Sequence, residues 1–213
     1  MSPKSGSSSS RRVILASGSL QRREILQKLG VDFEVVVPGV EELTGGDPEI
    51  EVLENARLKA QAAVSGSGGV PRTNTSPAGA PPDPPTARLV IACDTDVVLD
   101  GKALGKPKDE MEAGEYLDRM SGREHEVLSG LVVLEGGEER RGLERTSVFF
   151  KELSEEEKAR YVRFGEWRGR SGGYAIQTLG STLVERIEGS ASNVVGLPVG
   201  LLAELAPGLF EQA

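Results

Sequence analysis

The sequence predicts an α/β protein built on a mixed sheet. Strand-like apolar runs alternate loosely with stretches of helical period along most of the chain. Two strand-like runs near the middle, Val127 to Leu134 and Glu144 to Phe150, flank a polar turn at Gly136-Gly137 and so form an antiparallel pair. The 213 residues are enough for one sizeable domain, or two small lobes around a shared cleft.

The first strand is Val13-Ile14-Leu15-Ala16, and Ser17-Gly18-Ser19 turns the chain. A helix is expected from about Leu20 to Leu29, with Gly30 as its stop. Phe33 to Val37 is a second strand, closed by Pro38-Gly39. Pro48 opens a helix to about Val64 that carries Val52, Ala56, Ala60 and Ala63 on its inner side. Residues 1–11 are expected to be a flexible tail. The Gly, Pro, Ser and Thr-rich stretch 65–88 is expected to be a disordered insert, because it holds too little apolar surface to offset its chain entropy. Residues 12–213 then form one domain.

Leu89-Val90-Ile91-Ala92 is a buried central strand with Asp94-Thr95-Asp96 at its end. Val97-Val98-Leu99 enters a hairpin at Asp100-Gly101, and Glu110 to Met120 is helical. Ser154 with Glu157 forms a capping-box pattern for a helix to about Phe164. A strand near Leu183 to Ile187 and a helix from about Val199 to Leu205 complete the chain.

Composition narrows the function. A formal charge of −8 argues against binding a nucleic acid polymer, which wants a basic surface, but leaves room for a small phosphate ligand in a local basic pocket. A single cysteine, Cys93, forbids an intrachain disulfide, and no Cys or His spacing suits zinc. No apolar run approaches the ~20 residues of a membrane span, and the first residues lack the apolar core of a secretory signal. The cytoplasm is the expected location.

Several residues are placed to do chemistry. Ser17-Gly18-Ser19 sits between a strand and a helix, where free helix amides favour an anion and the hydroxyls of Ser17 and Ser19 add donors. Arg22 and Arg23 in the first turn oppose the helix dipole unless an anion binds there. The alternative is an ordinary Ser cap with exposed arginines. Asp94, at a strand end, either points into a cleft, where it can bind a cation with Glu42 or activate water, or merely forms a turn. Lys59 and Lys106 are surface lysines by default. Gln177, after Gly172-Gly173, has an amide able to read a base edge, or is a polar residue on a strand. His125 falls in a polar turn and is expected to be exposed and non-catalytic.

Taken together, the chain resembles the Maf family of nucleotide pyrophosphatases from Arg12 to Pro198, apart from 65–88. The resemblance rests on Leu15-Ala16-Ser17-Gly18-Ser19-Leu20-Gln21-Arg22, Val40-Glu41-Glu42, Ala56-Arg57-Leu58-Lys59-Ala60 and Cys93-Asp94-Thr95. It continues through Leu104-Gly105-Lys106-Pro107, Ser121-Gly122-Arg123, Gly172-Gly173-Tyr174-Ala175-Ile176-Gln177 and Val194-Val195-Gly196-Leu197-Pro198. No block is distinctive alone; their shared order is.

The resemblance implies an elongated Maf/ITPase-like fold, with two lobes flanking a central cleft. It implies hydrolysis of nucleoside triphosphates to the monophosphate and pyrophosphate with Mg²⁺ or Mn²⁺, and a homodimer. By the same resemblance Asp94 is the proton acceptor, Glu42 an acidic cleft residue that would hold the metal with Asp94, and Arg22, Lys59 and Lys106 the basic ones. Gln21, Thr95 and Gln177 match the positions that separate the family's branches. Asp-Thr and Ile-Gln are similar to the dTTP/UTP branch; the other branch prefers a methylated GTP. A non-catalytic nucleotide-binding regulator of cell division is the alternative of another class. Three departures stand out: Leu20-Gln21 where the family has Pro-Arg, Asp96 at an apolar position, and Arg170-Ser171 in place of Lys-Ala.

Overall fold

A computed structural model describes residues 12–66 and 88–211 of the chain. The expected tail, and all of the expected insert except Ser65, Gly66 and Arg88, lie outside the described residues.

The chain opens with β1 (Arg12–Ala16), α1 (Leu20–Lys28), β2 (Phe33–Val36) and α2 (Pro48–Ser65). Asp47 caps α2, and Pro48 fits its first turn because that position needs no amide donor. Then come β3 (Arg88–Leu99), the short β4 (Lys102–Ala103) and α3 (Glu110–Met120). The long hairpin β5 (Glu124–Glu135) and β6 (Glu138–Phe150) turns at Gly136 and Gly137, both with the positive φ that a tight hairpin demands. The last elements are α4 (Glu155–Phe164), β7 (Val184–Glu188), α5 (Ala191–Val195) and α6 (Val199–Leu205). The expected capping box of Ser154 and Glu157 is present at the start of α4.

The strands form one mixed sheet in the order β2-β1-β3-β5-β6-β7, with β4 on β3. β1 lies parallel to both β2 and β3; the remaining pairings are antiparallel. β1 accompanies β3 only as far as Leu15↔Ile91, and β4 joins β3 only at Val98. Between those points β5 borders β3 on one side, and among the described residues no strand borders it on the other. A crevice opens there, at the carboxyl ends of the parallel strands.

Side chains alternate across β3. Leu89, Ile91 and Cys93 pack with Leu26 of α1 and Leu202 of α6, while Val90 and Ala92 pack with Ala56, Ala60 and Ala63 of α2. A separate core gathers Val97, Leu99, Tyr116, Leu117, Phe150 and Tyr161 around α3 and α4. Asp94 continues the α2-facing series. Across the ladder its partner is Gly130 of β5. A Cβ on Gly130 would lie 2.3 Å from the Val52 carbonyl oxygen and 2.6 Å from the Leu53 nitrogen. The missing side chain therefore lets the α2 backbone rest on the sheet beside Asp94.

Two sequence expectations need correction. Asp94 is not at a strand end but inside the twelve-residue β3, because the Asp94-Thr95-Asp96 backbone keeps its ladder with β5. His125 is not an exposed turn residue. It lies on β5 at 2% exposure, with Nε2 2.8 Å from the Tyr174 hydroxyl and its ring edge-to-face with Phe150 and Tyr174. Burial pushes its pKa down to about 4. No helix of the described residues is long and apolar enough to cross a membrane.

Substituting Gly130→Ala forces a methyl into α2 backbone, and should lower unfolding free energy by about 3 kcal/mol or more. Gly39→Ala, with nothing within 4 Å of its added methyl, is the control in the same urea titration. Equal midpoints for the two variants would refute the close approach.

His125 gives a pH signature. The unfolded ring takes a proton near pH 6.5, whereas the folded ring resists until about 4, so the unfolded state binds more protons between those values. Its contribution is complete above 6.5 and drains away as pH falls toward 4, by at most about 3 kcal/mol. Thermal melts should fall more steeply with acid for the wild type than for His125→Gln; parallel curves would count against a buried neutral ring.

Candidate functional site

The crevice beside β3 is a cleft of about 680 Å³. Ser17, Ser19, Gln21, Arg22, Glu42, Lys59, Asp94, Thr95, Lys106 and Gln177 all line it. The fold thus gathers these ten sequence-predicted site residues into one cavity, while Arg23, the other arginine of that turn, does not line it. Five cationic side chains (Arg22, Lys59, Lys106, Arg168 and Arg170) face three carboxylates (Glu42, Asp94 and Asp96), so the cleft inverts the sign of the whole chain.

At its centre is an ionic cluster around a buried lysine. Lys59 is 8% exposed, and its Nζ lies 2.6 Å from Asp94 Oδ1 and 2.6 Å from Glu42 Oε1. Asp94 Oδ2 accepts from Asn55 Nδ2 at 3.0 Å. Asn55 and Lys59 are one helical turn apart on α2, so both reach the same carboxylate. Asn55 also accepts from the Leu43 amide at 2.7 Å and donates to the Leu43 carbonyl at 3.1 Å. It thereby ties down the loop that carries Glu42. A pattern search for charged residues passes over Asn55; its spacing from Lys59 is the one sequence signal for it.

Arg22 enters from the other helix. Its Nε donates to the Gly196 carbonyl at 2.7 Å, Nη1 to Ser17 Oγ at 3.1 Å and Nη2 to Thr95 Oγ1 at 3.0 Å. These partners are neutral. Among the described residues no carboxylate lies within ion-pair distance of it, although it is 8% exposed. A guanidinium has five N–H donors, so Arg22 keeps donors for an anion in the cleft. Sequence reasoning left a choice at this turn. Ser19 is indeed the helix cap, its side chain accepting from the Arg22 amide, but Arg22 is buried rather than exposed. Ser17 Oγ accepts from the Ser19 amide as well as from Arg22. Gln21 Oε1 accepts from Ser19 Oγ at 3.1 Å.

Thr95 has little freedom to meet a ligand. Its hydroxyl lies 2.8 Å from Ser129 Oγ, accepts from Arg22, and is 3.4 Å from the Gly196 carbonyl. It holds Arg22 Nη2 in place. Ser129 is fully buried and has no local sequence signal; only the strand register brings it opposite Thr95.

The far wall is built from turns. Gly172 donates its amide to the Gly105 carbonyl at 2.7 Å, joining the Lys106 loop to a 3₁₀ turn at Ser171–Gly173. Gln177 lies on a loop rather than on a strand, between that turn and a second at Leu179–Thr182. Glu166 holds this loop by accepting from the Gly180 amide at 2.9 Å and from the Thr178 hydroxyl. Asp96, which the sequence left unexplained, accepts from Ser171 Oγ at 2.7 Å. Burial raises its pKa to about 6; the Ser171 bond opposes that, and the charges of Asp94, Glu42 and Glu51 add to it.

The inventory is what a triphosphate ester requires: donors and cations for the phosphates, and an oriented carboxylate for water. Lys59 Nζ fills the point on which Glu42 Oε1 and Asp94 Oδ1 converge, so a cation would use the remaining lone pairs of the two carboxylates as hard oxygen donors. No group of three or more His, Cys, Asp or Glu residues suited to a metal occurs among the described residues, so such an ion would draw its other ligands from phosphate and water.

Comparison with known proteins agrees. The family model described as Maf-like protein matches residues 12–208. A dTTP/UTP pyrophosphatase of Deinococcus radiodurans is 43% identical over 92% of this chain and 92% of its own length. Proteins of the same description from Thermococcus gammatolerans and Pelotomaculum thermopropionicum are 39% and 37% identical, over 93% and 92% of this chain and 97% and 95% of their own lengths. Among solved structures, the Staphylococcus aureus Ham1 protein overlays with a TM-score of 0.41 at 16% identity, covering 65% of this chain and 71% of that one.

Proposed function

The chain belongs to the Maf family, and from that premise we propose that it hydrolyses dTTP and UTP to the nucleoside monophosphate and pyrophosphate. One observation carries the reading: a buried lysine, two carboxylates and an arginine without a carboxylate partner line a single cleft in an acidic protein.

The phosphates are polyanionic and repel an incoming nucleophile, so the cleft must first neutralise them. Arg22 does this with its remaining N–H donors, Lys106 with its ammonium, and the Ser17–Ser19 turn with hydroxyls and the first free amides of α1. Lys59 offsets the negative charge that Glu42 and Asp94 would otherwise bring close to the phosphates. Asp94 is the residue that orients water toward the α phosphorus and takes its proton. Both of its oxygens are held, one by Lys59 and one by Asn55, yet each keeps a lone pair for the water. Glu42 and Asp94 are also the residues that would hold Mg²⁺ or Mn²⁺. When bound, the ion supplies further charge neutralisation on the phosphate oxygens. Gln177, at the end held by Glu166, presents an amide that suits the donor and acceptor edge of a pyrimidine.

A triphosphate panel with product identification tests this. Pyrophosphate should appear from dTTP and UTP ahead of ATP and GTP. Asp94→Asn should keep its melting temperature within a few degrees and lose on the order of 100-fold in kcat. Inorganic phosphate as the product, or near-normal turnover by Asp94→Asn, would overturn the assignment.

A further inference from the structure

The cleft holds one carboxylate that the reaction above does not use. Asp96 lies two residues beyond Asp94 on β3, roughly 7 Å along the strand and with the same facing. Its Oδ1 accepts from Ser171 Oγ at 2.7 Å. Ser171 Oγ in turn accepts from the Val97 amide at 3.1 Å, a donor on the stretch of β3 edge that no strand covers. The turn that carries Ser171 can dock there because its next residue is Gly172, at φ +67. A Cβ on Gly172 would come within 2.6 Å of the Val97 side chain.

The result is a carboxylate clamped in one orientation by a hydroxyl that is itself clamped. Asp96 Oδ2 has no hydrogen-bond partner among the described residues, and Asp96 lines the cleft. The direct contact between Asp96 and Ser171 makes them one feature rather than two.

A carboxylate can only accept, so its natural complement is a donor on the ligand. Uracil and thymine carry one donor on the edge that Gln177 suits, the ring N–H, and the phosphates carry none. The sugar hydroxyls remain. They lie between base and α phosphate, just as Asp96 lies on β3 beyond Asp94, bonded to the segment that leads from Ser171 to Gln177.

We propose that Asp96, aligned by Ser171, is a specificity-determining residue that accepts a hydrogen bond from the 3′-hydroxyl of the bound nucleotide. The inference rests on the cleft being the nucleotide site. The carboxylate stabilises nucleotides that have this hydroxyl and is left desolvated and unpaired by those that lack it.

The experiment compares dTTP with 2′,3′-dideoxythymidine triphosphate on the wild type, Asp96→Val and Ser171→Ala. For the wild type, kcat/KM should drop about 10- to 100-fold on loss of the hydroxyl, as for a bond to a charged acceptor. For Asp96→Val the drop should shrink to about threefold or less. Ser171→Ala, which frees the carboxylate and also releases the Val97 amide, should fall between, and it carries the test if the valine variant does not fold. An unchanged ratio in both variants overturns the proposal, as does a loss shared equally by both substrates, which would assign Asp96 to the phosphates or to a cation. Failure of the wild type on dTTP itself would overturn the nucleotide reading beneath it, and is a separate result.

Discussion

The site depends on how closely one helix can approach one strand. Gly130 stands opposite Asp94 in the sheet and presents no side chain to α2, so the helix backbone at Val52 and Leu53 settles against the strand. One turn further along α2 is Asn55 and another is Lys59, and both now reach the Asp94 carboxylate. With any larger residue at 130 the helix stands off, and a bond of 2.6 Å from Lys59 cannot survive. A glycine with no polar atom to offer therefore sets the geometry of the ionic cluster.

The second constraint is electrostatic. The chain carries a net charge of −8, yet must hold a polyanion. It does so by sorting its charges. Many of its cations form surface ion pairs such as Arg123–Asp100 and Arg186–Glu188, exposed contacts worth little individually. Arg22 is kept out of such pairs. Neutral oxygens from Ser17, Thr95 and Gly196 fix its direction while leaving its charge uncompensated. Stored in this way, the charge is available to a ligand that brings its own negative charge.

Much of this was legible in the sequence, for identifiable reasons. Strand and helix periods, the Ser154–Glu157 cap and the glycine pair at 136 and 137 are local signals, and the corresponding elements follow them. All ten site residues named from the sequence line the cleft, because ordered motif blocks report on a shared site even when each is weak. What was hidden depends on register. The polar Asp94-Thr95-Asp96 looks like a strand terminus, whereas ladder pairing with β5 carries the strand through it. His125 looked exposed among Arg123, Glu124 and Glu126, yet strand alternation turns it inward onto Phe150 and Tyr174. Ser129, Asn55 and Gly130 acquire their roles only from what lies across the sheet, and no window along the chain contains that.

The same logic explains why the parts act together. The open edge of β3 borders the cleft, α2 supplies the cluster that faces Asp94, and α1 supplies Arg22 from the opposite face of the sheet. The claim common to all of it is that water guided by Asp94 attacks the α phosphorus. Turnover of dTTP in water enriched in ¹⁸O, followed by mass spectrometry of both products, tests that most directly. The account predicts the label in the thymidine monophosphate and none in the pyrophosphate; label in the pyrophosphate would contradict it.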